Sequence, residues 1–249
     1  KDSSVIAWLV KNQQDTSKYD LYIGGYGITI APDNSTNLFA GYTNFDTING
    51  LTNLDTSKVT TMSGMFRKNT SLTSLNLNDL DISKLTDISY LFAESGLEEF
   101  NIDEWNTNKI VNMEGLFSGC SRFTSLDVSG INTENVENMK LMFSNCTGLT
   151  ELDLSNFITT HATNMSGMFS GSTNLSELKI NSFDTSKVTD MSGMFLNCSS
   201  LTELDLSNKN ITWSSVKEKS SLIPLISSRT MYTKSAYLLI IYLFCIPIK

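Results

Sequence analysis

Apolar residues recur along this 249-residue chain with a fixed period, and each period ends on a phenylalanine. The six phenylalanines that set the period stand at positions 66, 92, 117, 143, 169 and 195, with steps of 26, 25, 26, 26 and 26 residues. The clearest copies of the surrounding motif read Met-Ser-Gly-Met-Phe, as at 62–66, 165–169 and 191–195. A repeat of this length predicts a solenoid, in which each repeat is one coil stacked on the next.

One coil contains three segments with different patterns. Leu175, Leu178 and Ile180 follow L-x-x-L-x-L, and the final alternation predicts a short strand with one face inward. Residues 183–188 predict an irregular crossing with inward anchors at both ends. The third segment has apolar residues at i, i+3, i+4 and i+7, which are Met191, Met194, Phe195 and Cys198. That spacing predicts a short helix with one apolar stripe.

The fold class predicted from these segments is an α/β solenoid. It is a leucine-rich-repeat-like right-handed stack of about seven strand–crossing–short-helix coils, with caps at both ends. Residues 1–36 are predicted to form a β-hairpin-like N-terminal cap around Gly24-Gly25, and residues 37–226 the solenoid. Residues 227–249 are a degenerate C-terminal cap or tail. The apolar stretch Ala236–Ile248 is a cap, a truncated membrane segment or an aberrant tail, since a spanning helix needs about 20 residues.

Composition narrows the class of partner. Hydrophobic residues make up 40% and charged residues 18%, which is typical of a folded domain. The net charge is −8 and arginine occurs only at 67, 122 and 229, so the chain is a poor nucleic-acid binder. We expect no membrane insertion of the repeat domain and a monomer. No signal peptide is visible in the sequence.

Equivalent residues of successive coils form ladders, and one ladder contains cysteine. Its members are Asn69, Ser95, Cys120, Cys146, Ser172 and Cys198, which predicts a small buried spacer. Parallel side chains make a disulfide between Cys120 and Cys146 improbable. With one histidine and no C-x-x-C motif, we expect no metal site, and no cofactor motif is present.

Two further ladders lie on the crossing. One holds Lys58, Lys84, Lys109, Asn135, His161 and Lys187, and predicts a solvated basic edge. The other holds Thr56, Ile82, Thr107, Thr133, Thr159 and Thr185. A threonine array of this kind occurs in ice-binding solenoids, but Ile82 interrupts it and charged neighbours flank it.

The outward face of the predicted strands is acidic and rich in hydroxyl groups. Candidate partner-binding residues on this face are Asp127, Glu151, Asp153, Glu177, Lys179, Glu203 and Asp205. Closely stacked carboxylates repel each other, which favours a cationic protein surface or a divalent cation as partner. The alternative is a solvated sheet face with no ligand.

Two long motifs carry a resemblance to a known family. D-T-S-K-V-T-D-M-S-G-M-F at 184–195 and N-C-S-S-L-T-E-L-D-L-S-N at 197–208 closely resemble the repeat of the BspA-like leucine-rich repeat surface proteins, over roughly residues 1–216. The resemblance implies a bacterial, extracellular or cell-surface, non-enzymatic protein that mediates adhesion or protein binding, with a host or cell-surface protein as ligand. It supplies no binding residues.

The leading functional hypothesis is therefore a non-catalytic binding or adhesion module that uses its polar ladders. A structural spacer that presents other domains is the alternative. A remote alternative is an enzyme, which would need a pocket that combines His161 with two carboxylates.

Overall fold

The computed structural model describes residues 6–24, 28–100, 105–202 and 204. The described chain begins with an antiparallel hairpin of β1 (Ile6–Lys11) and β2 (Tyr19–Gly24). The hairpin connection is Asn12–Lys18, where the Asn12 N–H donates to the Lys18 carbonyl, rather than Gly24-Gly25 as predicted. Strand β2 ends at Gly24 and pairs in parallel with β4 (Phe45–Asn49), which joins the hairpin to the first coil.

Three short elements complete this first coil. Strand β3 (Thr29–Ile30) pairs in parallel with β5 (Leu54–Asp55), and a 3-10 helix spans Leu51–Asn53. Parallel pairing of residues 25 apart is the mark of coils that stack in register.

The Met-Ser-Gly-Met-Phe segments form what we call the turn ladder. Within the described residues its seven segments are 34–41, 61–68, 87–94, 112–119, 138–145, 164–171 and 190–197. Each of the six neighbouring pairs is joined by four backbone hydrogen bonds of 2.7–3.1 Å, and the N–H groups always belong to the earlier coil. In the second segment, Met62, Gly64 and Phe66 donate to the carbonyls of Asp87, Ser89 and Leu91.

The predicted short helices are wrong. Alternate N–H groups of a segment donate to carbonyls of the next coil. The N–H groups between them donate to the carbonyl three residues back, as Met65 does to Met62. Two residues per segment also have positive φ, such as Gly64 (61°) and Lys68 (61°), and this breaks a helix. Among the described residues helical structure is limited to the 3-10 helices Leu51–Asn53 and Thr107–Lys109.

A stack of phenylalanine rings fills the centre of the coils. Consecutive rings from Phe39 to Phe195 have centroids 5.6–6.2 Å apart and planes within 19° of parallel. The Met and Leu ladders beside them are almost fully buried. The predicted apolar core is therefore confirmed, including the early coil that contributes Phe39.

The L-x-L segments face inward as predicted, but few of them are strands. In the part of the chain that the structure describes, this register forms strands only at β6 (Glu151–Asp153) and β7 (Glu177–Lys179). In one earlier coil the indole N–H of Trp105 donates to the Leu77 carbonyl at 2.9 Å, so a side chain links the coils at this point.

No helix in the described residues has the length and apolar character to cross a membrane.

Candidate functional site: the acidic strand face

The acidic face is built by β6 and β7. Their parallel register places Glu151 beside Glu177 and Asp153 beside Lys179. The alternation of the strand turns Leu152 into the core, so the charged residues on either side of it point to solvent. The same alternation places Asp127 outward between buried Leu126 and Val128 in the preceding coil.

These residues line one shallow, open groove of about 580 Å³. Its lining brings together five of the predicted site residues, which are Asp127, Glu151, Asp153, Glu177 and Lys179. Glu203 and Asp205 lie outside the described residues. The assignment of these residues to partner binding stays a prediction.

Lys179 partly neutralises the groove. Its Nζ lies 3.0 Å from Asp153 Oδ2 and 3.8 Å from Glu177 Oε1. Asp153 in turn raises the pKa of Lys179. Within the described residues Glu151 forms neither a side-chain hydrogen bond nor an ion pair, so its carboxylate is available to a partner.

Two of the acids also stabilise a backbone turn by accepting hydrogen bonds from N–H groups two residues later. Oδ1 of Asp127 accepts the Ser129 N–H at 2.9 Å, and Oδ1 of Asp153 accepts the Ser155 N–H at 2.9 Å. Each is an Asx turn that ends the L-x-L segment. The hydrogen bonds from Ser155, followed by Lys179, lower the pKa of Asp153 to about 2, and those from Ser129 lower the pKa of Asp127. Glu151 and Glu177 have no such structural role, which makes them the better probes of binding.

The threonine ladder is internal. Thr107, Thr133 and Thr159 are each 1% exposed, so an ice-binding surface cannot form from them. Each hydroxyl donates to a carbonyl of the next coil and accepts the N–H of the same residue, as Thr133 does with Ile158 at 3.0 and 2.8 Å. The side chain thus replaces a backbone link between coils.

The lysine-rich ladder of the crossing also links coils, and the single histidine occupies one of its positions. The side chains of Lys109 and Asn135 donate to the carbonyls of Ser83 and Asn108 in the preceding coil. His161 Nδ1 lies 2.9 Å from the Glu134 carbonyl in the same arrangement. His161 is exposed and is not part of the groove lining, so the pocket that the enzyme hypothesis requires is not formed at this groove.

The residues of the cysteine ladder share a hydrogen-bonding role that the sequence analysis did not predict. The thiols of Cys120 and Cys146 and the Ser172 hydroxyl donate to the carbonyls of Phe92, Phe117 and Phe143 one coil earlier. Asn69 makes the equivalent bond to Phe39. Burial raises the pKa of the Cys120 thiol to about 11, which keeps it a donor. The sequence feature that indicates this role is that Cys, Ser and Asn can all donate a hydrogen bond.

No set of three or more His, Cys, Asp or Glu side chains in the described ranges is arranged to hold a metal ion. The cysteines at 120, 146 and 198 are free and buried.

Comparison with solved structures finds leucine-rich repeat proteins. The Treponema pallidum leucine-rich repeat protein TpLRR is 17% identical with a TM-score of 0.35, and the match covers 81% of this chain and 89% of that one. A leucine-rich repeat protein from Bacteroides ovatus is 14% identical with a TM-score of 0.31, covering 73% and 61%. The functional domain of InlJ from Listeria monocytogenes, whose description includes a cysteine ladder, is 18% identical with a TM-score of 0.25, covering 60% and 30%. At these scores, the fold of the present chain rests on its own hydrogen-bond pattern.

Comparison with curated protein sequences finds no significant match. A family comparison matches residues 33–101 and 143–224, which together exceed half of the chain. Both matched regions carry the turn segments and the L-x-L segments described above. The chain therefore belongs to the family DUF285, described as Mycoplasma protein of unknown function.

Proposed function

We propose that this protein is a non-catalytic binding module, secreted or at the cell surface, that binds a cationic protein partner through its acidic strand face. The observation that carries the proposal is the composition of the groove. Four exposed carboxylates, Asp127, Glu151, Asp153 and Glu177, share it with one ammonium group, that of Lys179.

The geometry suits an extended or convex protein surface better than a small molecule. The groove is open to solvent, and β6 and β7 present their acids on neighbouring strands. Strands in a sheet are about 4.8 Å apart, so stacked glutamates such as Glu151 and Glu177 repel each other. A lysine- or arginine-bearing partner relieves this repulsion, and complementary charge also speeds the encounter.

The non-catalytic part of the proposal rests on the role of His161 as a link to the preceding coil, away from the groove. The surface location rests on the resemblance of 184–208 to the BspA-like repeat. A structural spacer remains the second candidate function. It is favoured by the continuous hydrogen-bonded turn ladder, which makes the coil stack a stiff support.

The test compares two double variants with equal loss of charge. Glu151→Gln/Glu177→Gln removes acids of the groove, and Glu134→Gln/Glu137→Gln removes exposed acids of another face as a matched control. Binding of a fluorescent lysine-rich peptide is followed by anisotropy at low ionic strength. We expect the groove variant to bind about fivefold more weakly and the control to match the unmodified protein.

Equal weakening in both variants would show that net charge alone attracts the peptide, and would refute the groove assignment. Absence of binding by the unmodified protein would refute the binding function and leave the spacer.

A further inference from the structure

The sheet of β1, β2 and β4 has one face on the core and one face towards solvent. Leu21 and Ile23 are buried, and Ile48 packs against the same core. Side chains alternate along a strand and register partners share a face, so the outer face consists of two rows. The first row is Trp8, Tyr22 and Asn49, and the second is Val10, Asp20 and Thr47. We call these six residues the cap face.

Two aromatic rings form the apolar part of the cap face. The ring centroids of Trp8 and Tyr22 lie 6.0 Å apart, and the ring planes are within 15° of parallel. The end of the indole lies over Gly24, where a methyl group would be 3.3 Å from Cη2 of Trp8. Trp8 is nevertheless 46% exposed, and Val10 beside it is exposed as well. The cap of a solenoid needs only a polar outer face, so capping does not account for this exposed indole.

Hydrogen-bonded side chains form the polar part of the cap face. The Thr47 hydroxyl donates to Oδ1 of Asp20 at 2.9 Å and accepts the Asn49 side-chain amide at 3.0 Å, which fixes all three side chains. Within the described residues, Oδ2 of Asp20 and Oδ1 of Asn49 accept no hydrogen bond. In the same part of the chain, the Tyr22 hydroxyl and the Trp8 indole N–H have no hydrogen-bond partner. The face therefore offers free acceptors and donors directly beside two aromatic rings.

The size of the cap face selects a small ligand. Neighbouring strands are about 4.8 Å apart and residues two apart on a strand about 7 Å, so the six residues cover roughly 10 by 7 Å. A stable protein interface buries about 800 Å² on each partner, which is several times this area. A ligand of mixed polarity that fits such a patch needs a flat apolar face and several groups that both donate and accept hydrogen bonds.

A pyranose ring has both properties. Its C–H groups lie on one face, and the negative face of an aromatic ring attracts such groups. Its hydroxyl groups stand at the rim, where they can donate to the free acceptor atoms of Asp20 and Asn49 and accept from the Tyr22 hydroxyl. Aromatic residues together with a few placed polar groups are the usual composition of a small-molecule site.

We propose that the cap face binds a neutral pyranose unit of a glycan. Trp8 and Tyr22 contact the C–H face of the sugar, and Asp20 and Asn49 accept hydrogen bonds from its hydroxyls. The acidic groove is built by the later strands β6 and β7, so the glycan site is separate from it. The ligand contacts an open surface on one side only, and we expect a dissociation constant of about 1 mM.

The test measures sugar binding by saturation-transfer difference NMR on the full chain. The probes are cellobiose, lactose and N,N′-diacetylchitobiose. Trp8→Ala removes the exposed indole, and Leu9→Ala is the matched control, because Leu9 is 52% exposed on the same strand but belongs to the opposite face. Circular dichroism verifies that both variants are folded. We expect at least one sugar to bind, Trp8→Ala to weaken binding at least tenfold, and Leu9→Ala to match the unmodified protein.

Absence of binding by all three sugars would overturn the inference. Equal affinity of Trp8→Ala and Leu9→Ala would also overturn it, because the sugar would then use another surface. Loss of lysine-rich peptide binding in Trp8→Ala would assign the cap face to a protein partner instead. Glu151→Gln/Glu177→Gln should bind the sugars as the unmodified protein does, so failure of the glycan site and failure of the acidic groove are distinguishable.

Discussion

Replacing Thr133 with valine tests whether side-chain hydroxyls hold the coils together. Valine has nearly the same shape as threonine, and Ile82 already occupies this register with an apolar side chain. The substitution therefore removes hydrogen bonds with little change in packing. The Ile158 N–H and carbonyl lose their partner, which now lies at 2.8 and 3.0 Å.

The expected cost follows from the burial of the site. Thr133 is 1% exposed, so water cannot take the place of its hydroxyl. Each intramolecular hydrogen bond contributes about 0.5–1.5 kcal/mol, and a buried group left unpaired costs about 1–3 kcal/mol. Because two such bonds are lost at one buried hydroxyl, we expect the free energy of unfolding to fall by about 2 kcal/mol. For a chain of this size that lowers Tm by about 4–8 °C.

The assay is thermal and urea unfolding followed by circular dichroism. Thr160→Val is the matched control, because Thr160 is exposed on the same crossing and its loss should change stability by less than about 0.5 kcal/mol. If Thr133→Val unfolds within that range of the unmodified protein, the threonine ladder does not couple the coils and the reasoning fails.

Three further predictions concern the core, the turn ladder and the strand face. Phe143→Ala removes a ring stacked between two others and should lower the free energy of unfolding by about 3–5 kcal/mol in urea titrations; a loss below about 2 kcal/mol would contradict the continuous stack. Gly167→Ala should destabilise more than Gly193→Ala although φ is +61° and +62°, because the new methyl at 167 would lie 2.6 Å from Leu141 Cδ2 of the previous coil and this side chain would have to move. At 193 the nearest atom among the described residues, apart from the two chain neighbours, would be 3.8 Å away; equal Tm values would refute the clash. The pKa of Asp153 is about 2, against an ordinary value of 3.8, so the interactions of its ionised carboxylate contribute stability that is present above pH 3.8 and lost as the pH falls towards 2. Asp153→Asn should therefore flatten the dependence of Tm on pH between these values. An unchanged dependence would exclude Asp153 as the cause.

Several features of the fold follow from local patterns. The period of the phenylalanines identifies the stacked coils, and the L-x-L alternation correctly places Leu152 inward and Glu151 outward. The same alternation brings the four described acids and the one lysine of the strand face to one groove. These outcomes depend on which side chains are apolar and are buried, and this can be predicted from the sequence.

The predicted short helices were wrong because the sequence does not show which groups the backbone N–H groups bond to. Spacing at i, i+3, i+4 and i+7 fits a helix, and it fits equally well a turn that buries Met191 and Phe195. The choice depends on whether the N–H groups bond within the segment or to a coil 25 residues later. A sequence pattern carries no information about that choice.

The polar ladders show the same division. The sequence alone determined the repeat, the apolar core and the side of each strand that carries charge, because these depend on side-chain hydrophobicity at a fixed period. The tertiary structure alone decided that Thr133 and Cys146 act as links between coils and that His161 takes the place of a lysine. The physical reason is that a hydrogen bond requires a partner at a defined distance and direction, and here that partner lies about one coil away in the chain.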